Sequence, residues 1–353
     1  MKHTIKQKLA IMVLDFWHRK SLLSYCLLPL AWAFMLIVKC RYYYYQFKGP
    51  ISAKVPLIIV GNITVGGTGK TPLVAKLAQF LHENHYKPLI LMHGYASHLP
   101  KGQTQRVWPS SNVNLVGDEA LLMAQNCQDI PVLVTRKRSK ALSYIEKYFP
   151  DIDVIICDDG LQHYALARDI EIAVIDANRR FGNGFCLPVG PLRESTSRLK
   201  QVDFVIAHGS AQKDEYLMKS ELAQEVLSLE DENNKCLLER FVGKTVHAVA
   251  GIGHPQRFFT MLREKGIEVI EHSFSDHHRY VLSDFHFNQN FPILMTQKDA
   301  VKCARLGLKN AYTVSLCTTL DTAFLNNLLR RLDNGQKAAR HSGMPHLQAT
   351  PPV

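Results

Sequence analysis

The feature that most constrains this chain is a glycine-rich run at residues 60–72, VGNITVGGTGKTP. It follows an apolar, β-branched segment at residues 55–60 and precedes apolar residues at helical spacing from Leu73 to Leu81. Strand, glycine-rich loop and helix in this order are the pattern of a phosphate-binding P-loop. Glycines let successive N–H groups face phosphate oxygens, and the helix N-terminus adds positive potential. The run therefore predicts a nucleoside triphosphate site.

Two residues of the run carry further chemistry. Lys70 is placed to reach the outer phosphates, and the Thr71 hydroxyl can ligate Mg²⁺. The chain departs from the strict pattern at Thr64, where the first glycine belongs. A tight turn without a ligand is the alternative, but Lys-Thr at the helix entrance favours nucleotide binding. The predicted nucleotide-binding residues are Gly61, Asn62, Thr64, Val65, Gly66, Gly67, Thr68, Gly69, Lys70, Thr71 and Pro72.

Asp158 and Asp159 follow a short apolar segment, VIIC, at residues 154–157. Parallel sheets present ligand groups at the carboxyl ends of their strands. A carboxylate in this position can hold Mg²⁺ directly or through water, while Thr71 supplies a hydroxyl. We therefore expect Thr71, Asp158 and Asp159 to form the metal site, and the residues alone do not distinguish which acid touches the metal.

Apolar and amphipathic segments alternate along most of the chain, which predicts a parallel sheet with crossover helices. A similar α/β rhythm restarts beyond residue 246. We therefore expect an α/β fold with a mostly parallel sheet of the P-loop NTPase type and a second, smaller α/β domain. The predicted strands are 88–92, 130–135, 154–157, 172–175 and 204–207, with a helix at 139–149. The predicted divisions are an N-terminal membrane segment at 1–50, a P-loop domain at 51–225, a smaller α/β domain at 226–333 and a disordered tail at 334–353.

The distribution of charge narrows the class of partner. The formal net charge is +11, and residues 1–54 carry nine Lys and Arg against one acid, Asp15. An excess of this size, concentrated at one end, suits an anionic membrane face better than nucleic acid, so we expect no nucleic-acid partner. The eight cysteines form no C-x-x-C pair, which argues against zinc and disulfide frameworks.

Residues 22–38 form a nearly continuous apolar run, at the lower limit for crossing a bilayer. Basic residues flank the run and Pro29 interrupts it. Aromatic residues at 42–45 are typical of anchoring at the headgroup level. We expect a membrane anchor or an interfacial helix, and the alternative is a buried helix followed by an edge strand.

Three other segments contain groups of chemical interest. Asp118, in GDE at 117–119, precedes an apolar helical repeat, so the residues alone favour a helix N-cap. SDHH at 275–278 suits either a metal or acid–base cluster or an exposed turn. The glycine- and proline-rich segment 182–191 is typical of a rigid loop that presents arginines to phosphate. Its surrounding arginines are Arg179, Arg180, Arg193 and Arg198.

Taken together, these motifs resemble those of one family, the tetraacyldisaccharide 4′-kinases, which are the lipid A kinases of Gram-negative bacteria. The resemblance covers most of the chain, and the Thr64 departure belongs to this family's own variant of the loop. The matching motifs are the P-loop run, GDE at 117–119, DDGLQH at 158–163, GNG at 182–184, GPLRE at 190–194, AGIG at 250–253, RFF at 257–259, DH at 276–277 and TQKDA at 296–300.

The resemblance implies a lipid kinase at the cytoplasmic face of the inner membrane, with ATP and Mg²⁺ as cofactors. Its acceptor would be the 4′-hydroxyl of a tetraacylated glucosamine disaccharide 1-phosphate, and its product lipid IVA. By position, Asp118 becomes the catalytic base or orienter of the sugar hydroxyl, with His277 as its partner from the second domain and Lys70 as the third catalytic residue. The implied contacts to substrate sugar or phosphate are Gln162, His163 and Arg193.

The chain departs from the family pattern at two positions, and two other functions remain as alternatives. His93 replaces an arginine, and Gln297 replaces a glutamate. We expect His93 to contact phosphate weakly, because an unperturbed imidazole is mostly uncharged near neutral pH. One alternative is a membrane-associated P-loop ATPase that uses hydrolysis for a conformational cycle, with Asp118 positioning water. The other is a non-enzymatic basic binding protein with a structural P-loop.

Overall fold

The computed structural model describes residues 5–94, 97–100, 102–231 and 234–342. The helices are α1 (Ile5–His18), α2 (Leu22–Cys26), α3 (Leu28–Lys48), α4 (Lys70–Glu83), α5 (Val113–Val116), α6 (Asp118–Asn126), α7 (Arg138–Tyr148), α8 (Pro255–Glu264), α9 (Gln297–Cys303) and α10 (Thr322–Ser342). The strands are β1 (Leu57–Gly61), β2 (Pro88–His93), β3 (Thr104–Val107), β4 (Val132–Thr135), β5 (Val154–Cys157), β6 (Ile170–Asp176), β7 (Phe204–His208), β8 (Tyr216–Ser228), β9 (Lys235–Leu237), β10 (Thr245–Ala250), β11 (Glu268–Ser273), β12 (Ile293–Thr296) and β13 (Ala311–Leu320).

These strands form one 13-stranded sheet within the described part of the chain, in the order β11-β10-β12-β13-β8-β7-β6-β1-β5-β2-β4-β3, with β9 paired to β8. The strands of the first half, in the order β7-β6-β1-β5-β2-β4, are all parallel, and β3 adds an antiparallel edge. The second half, β10 to β13, is also parallel. The halves join where β8, parallel to β7, pairs antiparallel with β13. The predicted α/β class with a mostly parallel sheet is confirmed.

The central strands of the first half are buried on both faces, as expected for parallel strands covered by helices. Helices α4 and α6 cover one face, where Leu73 and Leu77 pack against β1 and β2. Helix α7 covers the other face with Leu142 and Ile145, and α3 adds Ala31 to the same core. The P-loop lies at the carboxyl edge of this covered sheet.

Strand β8 runs from one half of the molecule into the other. Met218 packs in the core of the first half, whereas Leu222 and Val226 pack in the core of the second. The predicted domain boundary therefore falls inside one long strand. The predicted division between residues 225 and 226 stays a prediction.

Helix α10 returns to the first half, where Phe324, Leu328 and Leu332 are fully buried. The structure differs from the predicted disordered tail at 334–353, because α10 continues to Ser342. The sequence KAAR at 337–340 consists of strong helix formers, which explains the extension. Residues 343–353 lie outside the described residues.

The N-terminal apolar run is divided between two helices. Ser21 caps α2, and α3 begins at Leu28 with Pro29 in its first turn, where a proline is tolerated. Helix α3 continues to Lys48, so the tyrosines at 42–45 are helical and the alternative edge strand is not formed. Among the described residues, no helix is long and apolar enough to cross a membrane.

Candidate active site

The P-loop joins β1 to α4 with glycines in conformations that other residues rarely adopt. Gly66 has φ +101° and Gly69, the residue before α4, has φ +92°. A Cβ at Gly69 would lie 2.4 Å from Nδ1 of His208. Glycine is therefore required at Gly69 both by its backbone conformation and by the close approach of β7.

Buried polar groups hold the rest of the loop. The Asn62 side-chain amide lies 3.4 Å from the Gly66 carbonyl oxygen and 3.3 Å from Thr68 Oγ1, and it donates to both. Thr64 forms an isolated antiparallel bridge with Leu192, so an extended residue stands where the strict pattern has glycine. This explains how the loop accommodates Thr64.

Two of the four arginines around segment 182–191 face this loop. Arg179 donates to the Gly67 carbonyl oxygen. Arg193 Nη1 lies 3.5 Å from Asp159 Oδ1. The other two form ion pairs elsewhere, Arg180 with Glu215 and Arg198 with Glu171.

Asp158 and Asp159 lie at the end of β5 in different environments. Asp158 is buried, its Oδ1 has no hydrogen-bond partner among the described residues, and burial raises its pKa to about 7. Asp159 Oδ1 lies 3.3 Å from Lys70 Nζ. Burial alone would raise the pKa of Asp159, but Lys70 and Arg193 bring it below its ordinary value.

An orphaned buried carboxylate oxygen beside an ion-paired carboxylate suits a hard cation. No group of three or more His, Cys, Asp or Glu side chains with metal-binding geometry occurs in the described ranges. Mg²⁺ in nucleotide sites is usually held by one or two carboxylates together with substrate phosphates. Asp158 and Asp159 therefore fit a Mg²⁺ bound with a nucleotide. Thr71 is the second residue of α4 and follows Lys70, which pairs with Asp159.

The structure links two of the three predicted substrate-contacting residues to the P-loop. Gln162 Nε2 donates to the Asn62 carbonyl oxygen at 2.9 Å and to Glu194 Oε1 at 2.7 Å. Gln162 Oε1 lies 3.4 Å from Arg193 Nη1. His163 is half-buried, and burial together with the charge of Arg138 lowers its pKa to about 4, so its ring is neutral.

Asp118 and His277 meet across the cleft between the two halves. His277 Nδ1 lies 2.9 Å from Asp118 Oδ2 and 3.0 Å from Oδ1. His277, after β11, has a positive φ of 58°. Asp118 is the first residue of α6 and not its N-cap, which is Gly117. The N-cap interpretation is therefore wrong, and the Asp118 carboxylate instead contacts the second half.

The contact shifts the pKa of both partners. Burial alone would raise the pKa of Asp118, but the His277 hydrogen bond and the charge of Lys298 lower it below its ordinary value. The hydrogen bond to Asp118 raises the pKa of His277 above its ordinary value. The pair is therefore most strongly held when His277 is an imidazolium.

Lys298, on α9, completes this cluster. Its Nζ lies 2.8 Å from Glu119, 3.1 Å from Asp276 and 4.0 Å from Asp118. The start of α9 is fixed by buried Asp299, which accepts from the Thr296 hydroxyl at 2.5 Å. The sequence placed Lys298 in a motif but did not indicate that its charge would meet acids of the first half.

A second contact between the halves was missed from the sequence. His208, at the end of β7, has Nδ1 3.2 Å from the Thr68 carbonyl oxygen. Arg257, on α8, lies against the same ring, with Nη2 2.8 Å from Nε2 and Nη1 3.1 Å from Nδ1. Because Nδ1 donates to the Thr68 carbonyl oxygen, Nε2 is the nitrogen that accepts from Arg257. Burial and the charge of Arg257 lower the pKa of His208 to about 4. The only signal for this contact was the RFF motif at 257–259, which carries no direct chemistry.

The second half also approaches the P-loop through the loop after β10. A Cβ at Gly253 would lie 3.8 Å from the Gly67 nitrogen. Together with the two side-chain contacts, this places the carboxyl ends of both half-sheets around one cleft.

The sequence matches the family described as tetraacyldisaccharide-1-P 4′-kinase over residues 23–333. A tetraacyldisaccharide 4′-kinase of Nitrosococcus oceani is 41% identical over 329 residues, which cover 92% of this chain and 96% of the relative. The enzyme of the same name from Ruthia magnifica is 43% identical over 315 residues, covering 89% and 98% of the two chains.

A solved structure has a similar fold. The crystal structure of LpxK from Aquifex aeolicus in complex with ATP superposes with a TM-score of 0.73 at 28% identity, covering 88% of this chain and 99% of that one. Both the sequence and the fold therefore match over most of the chain. This protein belongs to the tetraacyldisaccharide-1-P 4′-kinase family.

Proposed function

We propose that this protein is an ATP-dependent lipid kinase that transfers the γ-phosphate to the 4′-hydroxyl of a tetraacyldisaccharide 1-phosphate, giving lipid IVA. The observation that carries the proposal is the Asp118–His277 contact, which brings a proton acceptor from the first half and an imidazole from the second to one cleft beside a P-loop. A hydrolase would need a water at this place instead of a sugar. Membership of the kinase family favours the sugar.

Proton removal from the sugar hydroxyl is assigned to the Asp118–His277 pair. A hydroxyl that attacks phosphorus must lose its proton, so a proton acceptor has to lie close to it. In phosphoryl transfer most of the catalysis is positioning and charge stabilisation, so a well-placed carboxylate is sufficient as that proton acceptor. His277 Nδ1 faces both Asp118 oxygens, so the imidazole fixes the carboxylate in one orientation. Because Asp118 and His277 belong to different halves, the proton-accepting pair is complete only when the cleft is closed.

The phosphates of ATP are assigned to the P-loop and its basic neighbours. N–H groups of residues 64–71 at the start of α4 would surround the β-phosphate. Lys70, which lies 3.3 Å from Asp159, is within reach of the outer phosphates once a nucleotide competes with that carboxylate. Arg193 also pairs with Asp159, and its guanidinium would form charge-assisted hydrogen bonds to the transferred phosphoryl group.

Mg²⁺ is assigned to Thr71, Asp158 and Asp159. When bound, the ion would supply positive charge that stabilises the transferred phosphoryl group. The partnerless Oδ1 of Asp158 supports this assignment. Arg138 donates to the main-chain oxygen of Asp158, which keeps the end of β5 in position.

The inner-membrane surface, at its cytoplasmic face, is the proposed location. Helix α3 exposes Trp32, Leu36 and Ile37, each with more than half of its surface accessible. Basic residues, including Lys39 and Arg41, occur on the same helix. Exposed apolar side chains with interspersed basic residues suit a helix lying on an anionic bilayer. A lipid acceptor would then reach the cleft without leaving the membrane surface.

Transfer of ³²P from γ-labelled ATP to tetraacyldisaccharide 1-phosphate, in detergent micelles with Mg²⁺, tests the proposal. We expect labelled lipid that depends on the acceptor, and a loss of about 10²- to 10³-fold in Lys70→Ala, since a charge at the transferred phosphate is removed. Lys76→Ala, on the same helix, is the matched control and should retain activity. Phosphate release at an equal rate without acceptor would replace the kinase with an ATPase.

A further inference from the structure

Residues 182–193, which include the glycine- and proline-rich segment, form a loop that pairs with the P-loop. The Thr64–Leu192 bridge lies at the centre of this pairing. Two main-chain hydrogen bonds flank the bridge: the Val65 N–H donates to the Pro191 carbonyl oxygen at 2.8 Å, and the Arg193 N–H donates to the Ile63 carbonyl oxygen at 2.7 Å. The 182–193 loop therefore fixes the P-loop backbone at the position where Thr64 replaces the first glycine.

The opposite side of this loop packs against the N-terminal helices. Trp17, in the last turn of α1, is half-buried, and its Nε1 donates to the Pro188 carbonyl oxygen at 2.9 Å. The Trp17 carbonyl oxygen accepts from the Asn183 N–H at 2.7 Å. On α2, the Tyr25 ring meets the Phe185 ring edge to face, with centroids 5.8 Å apart. The loop therefore lies between the N-terminal helices and the P-loop.

Hydrogen bonds inside the loop connect its two sides. The Asn183 side chain is buried; its Nδ2 donates to the Val189 carbonyl oxygen at 2.9 Å, and its Oδ1 accepts from the Phe185 N–H at 3.1 Å. The Leu187 N–H donates to the Leu192 carbonyl oxygen at 2.9 Å. Because satisfied buried polar networks make a structure rigid, a change at the helix contact is passed to the residues that pair with the P-loop.

Gly182 shows how closely the helix and the loop approach each other. Its φ is +56°, and a Cβ there would lie 2.6 Å from the Trp17 carbonyl oxygen and 2.8 Å from Pro191 Cγ. Pro191 is the residue whose carbonyl oxygen accepts from Val65. A side chain at residue 182 would therefore push against the helix on one side and against the partner of the P-loop on the other.

We propose that Trp17 is a positioning residue for the nucleotide site, which acts through the 182–193 loop and not by contact with the nucleotide. Its hydrogen bond to Pro188 keeps the loop against residues 63–65, and the N–H groups that follow would then face the phosphates. When only a fraction of the molecules has the binding-competent conformation, the apparent Kd rises in inverse proportion to that fraction. The inference rests on the proposed ATP site and adds to it a residue of the N-terminal helices.

The test separates ATP binding from phosphate transfer. The Kd of the β,γ-imido analogue of ATP is measured by equilibrium dialysis with Mg²⁺ and without acceptor, and kcat and the KM of each substrate are measured in micelles. The variants are Trp17→Phe, which keeps an aromatic ring and removes the indole N–H, and Gly182→Ala, which introduces the Cβ. Trp108→Phe is the matched control, because Trp108 is exposed directly after β3.

We expect Trp17→Phe to raise the Kd of the analogue and the KM for ATP about 3- to 10-fold, because one hydrogen bond is lost. The kcat at saturating ATP and the KM for the acceptor should equal those of the wild type, a pattern that a general loss of stability would not produce. Gly182→Ala should show the same pattern. The double variant should bind no more weakly than the weaker single one, because both changes loosen one contact.

An unchanged Kd of the analogue in Trp17→Phe, or an equal rise in Trp108→Phe, would overturn the inference. A rise in the KM for the acceptor without a change in Kd would also overturn it and assign Trp17 to the lipid. Because Kd is measured without acceptor, a wild type that binds the analogue but labels no lipid would contradict the proposed kinase and not the role of Trp17.

Discussion

At the scale of single residues, Asp118 and His277 show why chemistry was hard to assign from local sequence. Each motif had a simpler explanation by itself, a helix cap for one and an exposed turn for the other. Their significance comes from a contact between residues 159 positions apart. No local pattern encodes such a contact, so only the family resemblance pointed to the pair. The P-loop, by contrast, is complete within one short segment and was predictable from spacing.

The Asp118–His277 pair predicts the pH dependence of transfer. The pKa of His277 is raised above the ordinary histidine value of about 6.5. The stabilisation that the imidazolium–carboxylate contact gives to the closed cleft is therefore fully present at pH values below 6.5, and it is lost as the pH rises through the raised pKa. The imidazolium also makes Asp118 a weaker base. We therefore expect kcat to increase as pH rises through this pKa, while the contact between the halves weakens.

The measurement is kcat between pH 5.5 and 9, at saturating ATP and acceptor, for the wild type and His277→Asn. Asparagine keeps a donor near Asp118 but does not titrate, so the step should be absent from its profile. His278→Asn, the neighbouring residue, is the control and should keep the step. A step of the same size and position in His277→Asn would contradict the assignment.

At the scale of elements, the apolar strands of the first half were predicted within one or two residues. Segments such as VIIC, which becomes β5, are buried on both faces and stand out in the sequence. Strand β8 was missed because its burial alternates, with exposed Lys219 and Glu221 next to buried Met218 and Ser220. Polar alternation without an apolar run resembles a linker, and only pairing with β7 and β13 gives the strand its stability.

Helix α8 supplies a prediction at this scale, because Arg257 contacts His208, which in turn contacts the P-loop at Thr68. Arg257→Ala should raise KM for ATP about tenfold, since hydrogen bonds from a charged group are lost, and should leave KM for the acceptor unchanged. Steady-state kinetics with each substrate varied in turn measures both constants. Arg263→Ala, on the same helix but paired with Glu271 at the surface, is the control. A change in KM for the acceptor without a change in KM for ATP would argue against a coupling of Arg257 to the nucleotide site.

At the scale of the whole molecule, the loops at the carboxyl ends of the two half-sheets line one cleft. The N-terminal helices lie on one face of the first half. The two-part α/β organisation was predictable because apolar segments recur on both sides of the junction. The continuation of the sheet through β8 and β13, and the return of α10 to the first core, were not, since both depend on contacts far apart in sequence.

Membrane association predicts the effect of changes on the exposed face of α3. Leu36→Glu/Ile37→Glu should weaken binding to vesicles containing anionic lipid by at least about tenfold, because two large apolar side chains no longer enter the bilayer. Cosedimentation with vesicles measures the change. Leu237→Glu, at an exposed position of the second half, is the control. Unchanged binding of the double variant, with transfer in micelles retained, would exclude this face of α3 as the membrane contact.

The central claim is that the two halves assemble one phosphotransfer site through Asp118 and His277. The most direct test is a double-mutant cycle on acceptor-dependent ³²P transfer, with Asp118→Asn, His277→Asn and the combined variant. We expect Asp118→Asn to lower kcat about 10²- to 10⁴-fold and the double variant to be no slower than this single one, because the residues act as a unit. Losses that multiply in the double variant, or full activity in Asp118→Asn, would contradict a shared site.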